Sequence, residues 1–425
     1  MHSQRPTSEA ELSDMIASTR EPFCLGGGGS KAGFGHRLDG LKRLDLAGFD
    51  GVKLYEPHEL ILTVGTATPL RTIRALLADS HQNLPFEPPD WRWLLQGGSK
   101  SQWQSEPDPA TIGGVIATNL SGSARLKAGA ARDNLLGFHG VNGLGEIIHG
   151  GGRVVKNVTG YDLPKLIAGS FGTLVAMTEV TVKAMPAPEA EASLILAGMT
   201  AGEGMAAAAR ALNSPHEIHA AAYLPAEAAR LAGLPLSPDE SGFLVLRLVG
   251  SRPSMAPRLA AVTALLSPAV VAAQLEDAAS LALWQAIGNG SLLPEIASDS
   301  QQQAIWRVSV APQSAASLMA RLEAEFSRLG LRLDYYYDWA GGLILVSVLG
   351  SPESMARMAE QAVMLRAHLA EVGGGHATLL RAPHEIAEIF EPLVPSLAAL
   401  TARIKASFDP KQLLNPGIIT PRIRP

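Results

Sequence analysis

Four consecutive glycines constrain this chain more than any other short stretch. They lie in the segment CLGGGGSKAGFG, residues 24–35. Residues without a Cβ let the backbone turn freely, expose N–H groups to an anion and admit a phosphate close to the main chain. The segment lacks both the Gly-Lys-Ser/Thr ending of a P-loop and the G-x-G-x-x-G spacing of a dinucleotide fingerprint. It therefore indicates either a loop for some phosphate-bearing ligand or a flexible linker or tight turn.

The composition narrows the class of protein. A chain of 425 residues is long for a single core, so two or more domains are expected. The net charge of −5, from 35 basic and 40 acidic residues, gives no basic footprint for nucleic acid. Cys24 is the only cysteine, which excludes an internal disulfide and a thiolate metal cluster. No signal-peptide core and no apolar run of about 18 residues is present, so we expect a soluble, cytoplasmic protein.

Hydrophobic periodicity predicts alternating helices and strands in the first part of the chain. The predicted elements are a helix at 11–21, strands at 22–25 and 59–70, a helix that begins at Pro69, a hairpin at 146–156 and a strand at 173–185. Residues 85–125 are rich in Pro, Gly, Ser and Trp, so loops are expected there, with a turn at Ser99 and Lys100.

The composition changes after residue 192, where alanine and leucine begin to dominate. Helical runs such as GEGMAAAARALN and SMAPRLAAVTALL alternate with strand patterns at 242–250, 305–310 and 342–350. This alternation predicts an α+β domain with a sheet covered by helices.

Glycines and short polar residues are concentrated in the segment at residues 108–138, DPATIGGVIATNLSGSARLKAGAARDNLLGF. Its glycines and short polar residues are Thr111, Gly113, Gly114, Thr118, Asn119, Ser121 and Gly122. The glycines allow close approach of the backbone, and the short side chains supply hydrogen bonds to phosphates and hydroxyls. Together they can line a long polar cofactor.

Five motifs occur in an order that resembles the vanillyl-alcohol-oxidase-type, or PCMH-type, FAD-binding family. They are the glycine loop, DPATIGGVIATNLSG, ARDNLLG, GRVVKNVTGYDLPKLIAGSFGTLVAMTEVTVKAMP and the terminal FDPKQLLNPG. Within this family the chain is similar to the FAD-binding E subunits of bacterial glycolate oxidases. The resemblance implies an α+β fold: a PCMH-type two-subdomain FAD-binding domain at 1–190, an α+β cap domain at 191–395 and a C-terminal segment at 396–425 that returns to the FAD domain.

The resemblance also implies the cofactor and the residues that hold it. The family's pyrophosphate loop corresponds to Gly26, Gly27, Gly28, Gly29 and Ser30. The segment that lies beside the flavin in the family, here called the wall, corresponds to the seven glycines and short polar residues named above between Thr111 and Gly122. The adenosine half would pass Gly172, Glu179 and Val180, and the isoalloxazine side would lie near Lys156 and Tyr161. For Lys156 a surface ion pair is an equal alternative. The loop has neither His nor Cys at the family's tether position, so non-covalent FAD is expected.

The part of the chain that would bind the substrate differs in sequence from the related D-2-hydroxyacid dehydrogenases. Those enzymes carry two histidine-rich clusters that bind a metal and supply a base. The segment at 337–348 corresponds to the first cluster and has lost its ligands, and GGGHATLLR retains only His376 of the second. We therefore expect no metal. His376 can take the hydroxyl proton of a 2-hydroxy acid while Arg381 holds its carboxylate. Alternatively, His376 hydrogen-bonds a loop and Arg381 pairs with Glu385.

The function implied by the resemblance is that of one FAD-binding component in a complex that oxidises glycolate, a small 2-hydroxy acid, to glyoxylate and passes the electrons on. The implied partners are the related FAD-binding D subunit of such oxidases, which retains the substrate chemistry, and an iron–sulfur subunit. Contact with the inner membrane would come only through such partners. Two alternatives remain open: a stand-alone FAD-dependent D-2-hydroxyacid dehydrogenase, and a non-catalytic scaffold with a degenerate flavin site.

Overall fold

The computed structural model describes residues 4–152, 160–235, 242–296 and 300–420. We refer to 4–186 together with 395–420 as the N-terminal lobe, and to 190–381 as the cap lobe.

The N-terminal lobe contains three small sheets and short helices. Its strands are β1 (Phe23–Gly26), β2 (Lys42–Asp45), β3 (Val52–Glu56), β4 (Ile61–Gly65), β5 (Gln82–Asn83), β6 (Leu135–Asn142), β7 (Ile147–Gly151), β8 (Val175–Lys183) and β9 (Met185–Pro186). Its first helices are α1 (Glu9–Ser18), α2 (Leu70–Ala78), α3 (Arg92–Gln96), α4 (Lys100–Ser105), α5 (Ile112–Thr118), α6 (Arg125–Ala128), α7 (Ala131–Asn134) and α8 (Leu163–Ile167). The parallel pair β1–β2 delivers the glycine loop, and an antiparallel sheet in the order β3-β4-β8-β6-β7 forms the body of the lobe.

The cap lobe is one antiparallel sheet in the order β13-β10-β12-β11-β15-β16-β14-β17. Its strands are β10 (Ala190–Ala197), β11 (Ala220–Pro225), β12 (Gly242–Gly250), β13 (Val270–Glu276), β14 (Gln302–Val310), β15 (Arg332–Asp338), β16 (Leu343–Gly350) and β17 (Gly375–Arg381). Its helices are α9 (Ala201–Leu212), α10 (Ala226–Leu231), α11 (Arg252–Leu265), α12 (Asp277–Gly288), α13 (Pro312–Arg328), α14 (Pro352–Met355) and α15 (Met358–Glu371).

The two faces of the cap sheet have different neighbours, and β14 shows this by the alternation of its side chains. Trp306 and Val308 pack with residues of the covering helices, whereas Ile305 packs with Trp91 and Leu94 of the N-terminal lobe. The second face of the sheet is therefore part of a hydrophobic interface that fixes one lobe against the other.

The C-terminal helix α16 (Pro395–Phe408) leads the chain back to the N-terminal lobe. After it, Leu414 bridges to Phe23 of β1, and the fully buried carboxylate of Asp409 accepts hydrogen bonds from the backbone N–H groups of Leu413 and Leu414. The motif FDPKQLLNPG thus supports the strand that carries the glycine loop.

The sequence-based expectation of loops over 85–125 missed the short helices α3, α4, α5 and the start of α6, which lie between loop segments in this range. Ser99 and Lys100 do not form an isolated turn: the Ser99 hydroxyl accepts from the N–H of Gln102 at 3.2 Å and caps α4. The buried rings of Trp91 and Trp93 anchor this region between the lobes, a tertiary contribution that local composition does not reveal.

Candidate functional site

The glycine loop packs against residues 109–111 more closely than any side chain would permit. A Cβ on Gly28 would lie 1.7 Å from the carbonyl oxygen of Pro109, and one on Gly27 would lie 3.2 Å from Oγ1 of Thr111. Gly29 has a φ of +82°, in the left-handed region that favours glycine. The glycines are therefore needed for this geometry, which is that of a packed loop and not of a flexible linker.

The loop presents hydrogen-bond donors rather than acceptors. Within the described parts of the chain, the backbone N–H groups of Gly28, Gly29 and Ser30 have no acceptor. Successive free N–H groups in a tight loop form a concave site for an anion.

Lys31 is a further cation at this loop that sequence reasoning passed over. Its Nζ donates to Oγ of Ser30 at 2.9 Å, and its stem lies where a Cβ on Gly114 would point. Burial of the ammonium lowers the pKa of Lys31 to about 8, against the opposing effect of Asp108. Lys31 lies one serine after the four glycines, and this position could have indicated its role. It was passed over because a P-loop motif requires the lysine directly after a glycine.

A prediction follows for the affinity of an anionic ligand at this loop. Binding a diphosphate favours the protonated lysine, so affinity should be highest below pH 8 and fall by up to about tenfold per pH unit above it. Lys31→Met should bind more weakly with a flat pH profile, and Lys31→Arg should bind well with a flat profile. Titrations between neutral and alkaline pH measure this, and an unchanged slope in Lys31→Met would contradict the role.

Helix α5 forms a wall beside the loop, and its polar side chains set its shape. Thr111 caps the helix by accepting from the N–H of Gly114, and the Thr118 hydroxyl donates to the Gly114 carbonyl at 2.8 Å. A Cβ on Gly113 would lie 2.7 Å from the Thr66 side chain, so glycine is needed there too.

The wall continues past the end of α5. Asn119 adopts a left-handed φ of 51°, and its Oδ1 accepts from the N–H of Arg132. The Ser121 hydroxyl accepts from the N–H of Ala131, and a Cβ on Gly122 would lie 2.5 Å from the Glu87 carbonyl. Of the residues predicted as one wall, Thr118, Asn119 and Ser121 line a common cavity.

The segment at 169–172 lies against the same wall. Gly169 and Phe171 donate their N–H groups to the carbonyls of Ile116 and Ala117. Asn415, from the returning C-terminal segment, accepts from the N–H of Leu25 and donates to the Phe171 carbonyl, both at 2.7 Å. It thereby joins β1 to the segment that holds Gly172. The sequence motif contained Asn415, but nothing in it indicated this bridging role.

Three other predicted residues are not brought into this cluster. Val180 is buried in the core of the N-terminal lobe, and Glu179 lies on β8 opposite Gly65 and His139. The Tyr161 side chain is 93% exposed. Lys156 lies outside the described residues, so the roles of all four remain predictions.

A cavity of about 80 Å³ lies where the wall meets the cap lobe. It is lined by Phe34, Trp91, Thr118, Asn119, Leu120, Ser121, Arg125, Arg307 and Trp339. The guanidinium carbons of Arg125 and Arg307 lie 4.5 Å and 5.6 Å from the centre of the Trp339 ring. One arginine belongs to each lobe, and sequence reasoning singled out neither.

Trp339 occupies a strained backbone segment. It has a φ of 50° and Ala340 a φ of 53°, which side-chain-bearing residues rarely adopt. Asp338 accepts from the N–H of Trp339 and from the Ser123 hydroxyl, both at 2.7 Å, and the Trp339 indole donates to the Gly122 carbonyl at 3.1 Å. These contacts between the lobes fix the ring at the cavity.

Asp338 gives a prediction for stability against pH. Burial raises its pKa to about 7 from an ordinary 3.8, against the opposing hydrogen bonds from Ser123 and Trp339. Between these values the folded state holds a proton that the unfolded state has lost, so stability should fall with rising pH by up to about 1.4 kcal/mol per unit. Asp338→Asn should remove this contribution, and urea unfolding across the range measures it. An identical slope in both proteins would contradict the assignment.

The structure separates the two residues predicted for catalysis. Arg381 uses its terminal nitrogens on the carbonyl of Trp93 and on Oε1 of Gln303, both at 2.5 Å, so it braces the interface between the lobes. Among the described residues, it does not pair with Glu385. His376 is an exposed residue at the start of β17, the edge strand of the cap sheet.

His376 nevertheless shares a face with one cavity residue. Ser309 pairs with His376 and Arg307 pairs with Thr378 in the β14–β17 ladder. Because side chains alternate along a strand, His376 and Arg307 project from the same face of the cap sheet.

Comparison with known proteins identifies the cofactor domain. Residues 4–151 match the family described as FAD binding domain. This part of the chain is an FAD-binding domain. The resemblance to this family expected from the motifs is therefore confirmed, and FAD is the cofactor.

The whole chain is similar to glycolate oxidase subunit GlcE of Escherichia coli, with 29% identity over 407 residues, which cover 96% of this chain and 95% of the relative. A shorter match, 45% identical over 94 residues, covers 21% of this chain and 20% of glycolate oxidase subunit GlcD of Bacillus subtilis. With the FAD-binding domain, these matches place the chain among the FAD-dependent oxidoreductases.

The fold is shared with solved structures. A structure of p-cresol methylhydroxylase with substrate bound superposes with a TM-score of 0.72 at 14% identity, covering 98% of this chain and 88% of that one. The predicted α+β, PCMH-type fold is therefore confirmed. None of the described helices is long and apolar enough to cross a membrane.

The residues of the site fit FAD. The free N–H groups of the loop and the nearby Lys31 suit its diphosphate, and the tight glycine contacts leave the main chain accessible to it. At the segment 169–172, the buried hydroxyl of Ser170 has no hydrogen-bond partner among the described residues, which leaves a polar group ready for a ligand.

Proposed function

We propose that this chain is the FAD-binding subunit of a complex that oxidises glycolate to glyoxylate and passes the electrons on. The observation that carries the proposal is the cavity between the flavin-side wall and the cap sheet. Thr118, Asn119 and Ser121 line it from one lobe, and Arg307 and Trp339 line it from the other. A small substrate in this cavity lies beside the wall and is shielded from water by Phe34 and Leu120.

Bound FAD would supply a hydride acceptor for the carbon that carries the substrate hydroxyl. The residues of this chain bind and orient the two molecules. The loop from Gly26 to Ser30 holds the diphosphate through N–H groups, with Lys31 as a counter-charge, and no covalent tether is needed. The wall from Thr111 to Gly122 supports the flavin side.

Oxidation of the alcohol also requires a base for the hydroxyl proton. His376 is our candidate, since an imidazole nitrogen can accept that proton and the residue lies on the cavity-facing side of the cap sheet. His376→Gln should then lower turnover more than it raises KM, without a change in FAD content. Equal activity of the variant and the parent would remove His376 from the mechanism.

The onward path of the electrons leads to other subunits. The similarity to GlcE over nearly the whole chain supports a partner related to GlcD. An iron–sulfur protein that accepts the electrons is the second partner in our proposal. An iron–sulfur cluster needs several thiolate ligands, and this chain has one cysteine, so the cluster belongs to a partner.

A stand-alone dehydrogenase for D-2-hydroxy acids is the alternative that the comparisons also favour. D-lactate dehydrogenase of Anaerostipes hadrus is 41% identical over 107 residues, which cover 24% of this chain. A scaffold with a degenerate flavin site is less well supported, because the close packing of Gly28 against Pro109 preserves the loop's geometry.

Co-purification and turnover together test the proposal. The tagged chain, co-expressed with the GlcD-like and iron–sulfur proteins of its source, should retain both and oxidise glycolate with an artificial acceptor. The chain alone should show little turnover. Failure to retain either partner would contradict the subunit role, and full turnover by the chain alone would favour the stand-alone dehydrogenase.

A further inference from the structure

We propose that Arg125 and Arg307 form a carboxylate clamp, one arginine from each lobe, that selects small monocarboxylic 2-hydroxy acids. The identity of the acid rests on the proposed function. The binding of a small carboxylate to this chain is a separate property and can be measured without turnover.

The first support is that both guanidinium groups lack hydrogen-bond and ion-pair partners among the residues that the structure describes. Within 4–152, 160–235, 242–296 and 300–420, neither Arg125 nor Arg307 makes a side-chain hydrogen bond or an ion pair. Two other arginines in the interior are paired with carboxylates: Arg247 binds Glu87 and Glu191, and Arg366 contacts Glu388. Removing a cation from water without a counter-ion costs free energy. Two neighbouring arginines without counter-ions therefore indicate a binding site for an anion.

The second support is electrostatic. Burial lowers the pKa of Arg307 to about 10, and the nearby charge of Arg125 lowers it further. Burial also lowers the pKa of Arg125, with Asp133 opposing. Two like charges that disfavour each other would both be stabilised by one carboxylate between them.

The third support is the rigid setting. Both groups lie against the ring of Trp339, whose strained backbone is held by Asp338 and whose indole is bonded to Gly122. Guanidinium groups held against an aromatic ring are pre-organised, so little conformational entropy is lost when a carboxylate binds to them.

The cavity sets the size and charge of the ligand. Its volume of about 80 Å³ leaves room for a molecule of a few non-hydrogen atoms, such as glycolate or D-lactate. Away from the arginines, its walls include the apolar side chains of Phe34, Trp91 and Leu120. A second carboxylate would meet these apolar walls, so dicarboxylic 2-hydroxy acids are disfavoured.

Calorimetric titration of the full chain with glycolate tests the clamp. Arg125→Met and Arg307→Met should each weaken binding by about tenfold or more, since each removes a charge-assisted hydrogen-bonding group. The affinity of Arg307→Lys should lie between those of the parent and Arg307→Met, because lysine keeps the positive charge and lacks the two parallel N–H donors of the guanidinium group. The matched control is Arg321→Met, an exposed cap-lobe arginine paired with Glu371, which should bind as the parent does. D-Malate, a dicarboxylic acid, should bind more weakly than D-lactate.

Thermal unfolding provides a second readout that does not depend on affinity. Because neither arginine makes an ion pair or a side-chain hydrogen bond within the described residues, each Met variant should be as stable as the parent or more stable without ligand. Glycolate should then raise the midpoint of the parent and of Arg321→Met only.

The outcomes separate the clamp from the proposed function. Equal glycolate affinity in the parent and both Met variants, or no binding by the parent, would overturn the clamp. Arginine-dependent binding supports it even where the co-purified complex oxidises no 2-hydroxy acid, a result that would overturn only the proposed function. Turnover of glycolate with unchanged KM in both Met variants would leave the function standing and overturn the clamp.

Discussion

Replacing Arg247 with methionine is expected to lower the free energy of unfolding by about 3–5 kcal/mol, because it leaves the buried carboxylate of Glu191 and the half-buried carboxylate of Glu87 without their counter-charge. Arg247 is 3% exposed. Its Nη1 binds both oxygens of Glu87 at 2.8 and 2.9 Å, and its Nη2 binds Glu191 at 2.7 Å. Glu191 also accepts from the hydroxyl of Ser280, so the network extends into the cap lobe.

The expected loss would also loosen the contact between the lobes. Glu87 belongs to the N-terminal lobe, and its carbonyl lies where a side chain on Gly122 would be. Chemical denaturation of the purified chain measures the effect. The control is Arg252→Met, whose pair with Asp277 is exposed and should contribute about 0–1 kcal/mol. Adding Glu191→Gln to Arg247→Met should recover part of the loss. Similar small losses for both arginines would contradict the network's role.

Gly28→Ala is expected to weaken FAD binding by about 10- to 100-fold. Its Cβ would lie 1.7 Å from the Pro109 carbonyl, which is a backbone atom and cannot turn aside. The loop must move, at a cost of about 1–3 kcal/mol in strain, and the N–H groups then lose their common direction. Each 1.4 kcal/mol of lost binding energy corresponds to about tenfold in affinity.

Reconstitution of the FAD-free chain, followed by quenching of flavin fluorescence, measures this change. Gly202→Ala in the cap-lobe helix α9 is the matched control, because the nearest described atom to a Cβ there is the Ala316 Cβ at 3.9 Å, an ordinary contact. The control should bind FAD as the parent does. Parent-like affinity in Gly28→Ala would show that the loop does not hold the diphosphate.

The sequence predicted the parts of the fold that depend on local pattern. The strands β8, β12 and β16 and the helices α2 and α9 have the periodicity that their burial requires. The short helices α3 and α4 were missed, because five- and six-residue helices form only where tertiary packing stabilises them. The rings of Trp91 and Trp93 supply that packing.

The candidate site also has parts that the local sequence predicted and parts that depend on tertiary packing. The loop from Gly26 to Ser30 and the wall from Thr111 to Gly122 are contiguous motifs, so their joint role was visible in the sequence. The pairing of Arg125 with Arg307 depends on how β14 meets the end of the wall, which no local pattern encodes. Arg381 was an attractive carboxylate ligand by its position after His376, but the interface uses its nitrogens.

The visible absorption spectrum of the purified chain, before and after acid precipitation, tests the central claim most directly. Our account predicts a yellow protein whose pigment passes into the supernatant as free FAD, as expected for a cofactor held by the N–H groups of the glycine loop. A colourless chain that remains without FAD when the cofactor is added, or a pigment that stays with the precipitated protein, would contradict it.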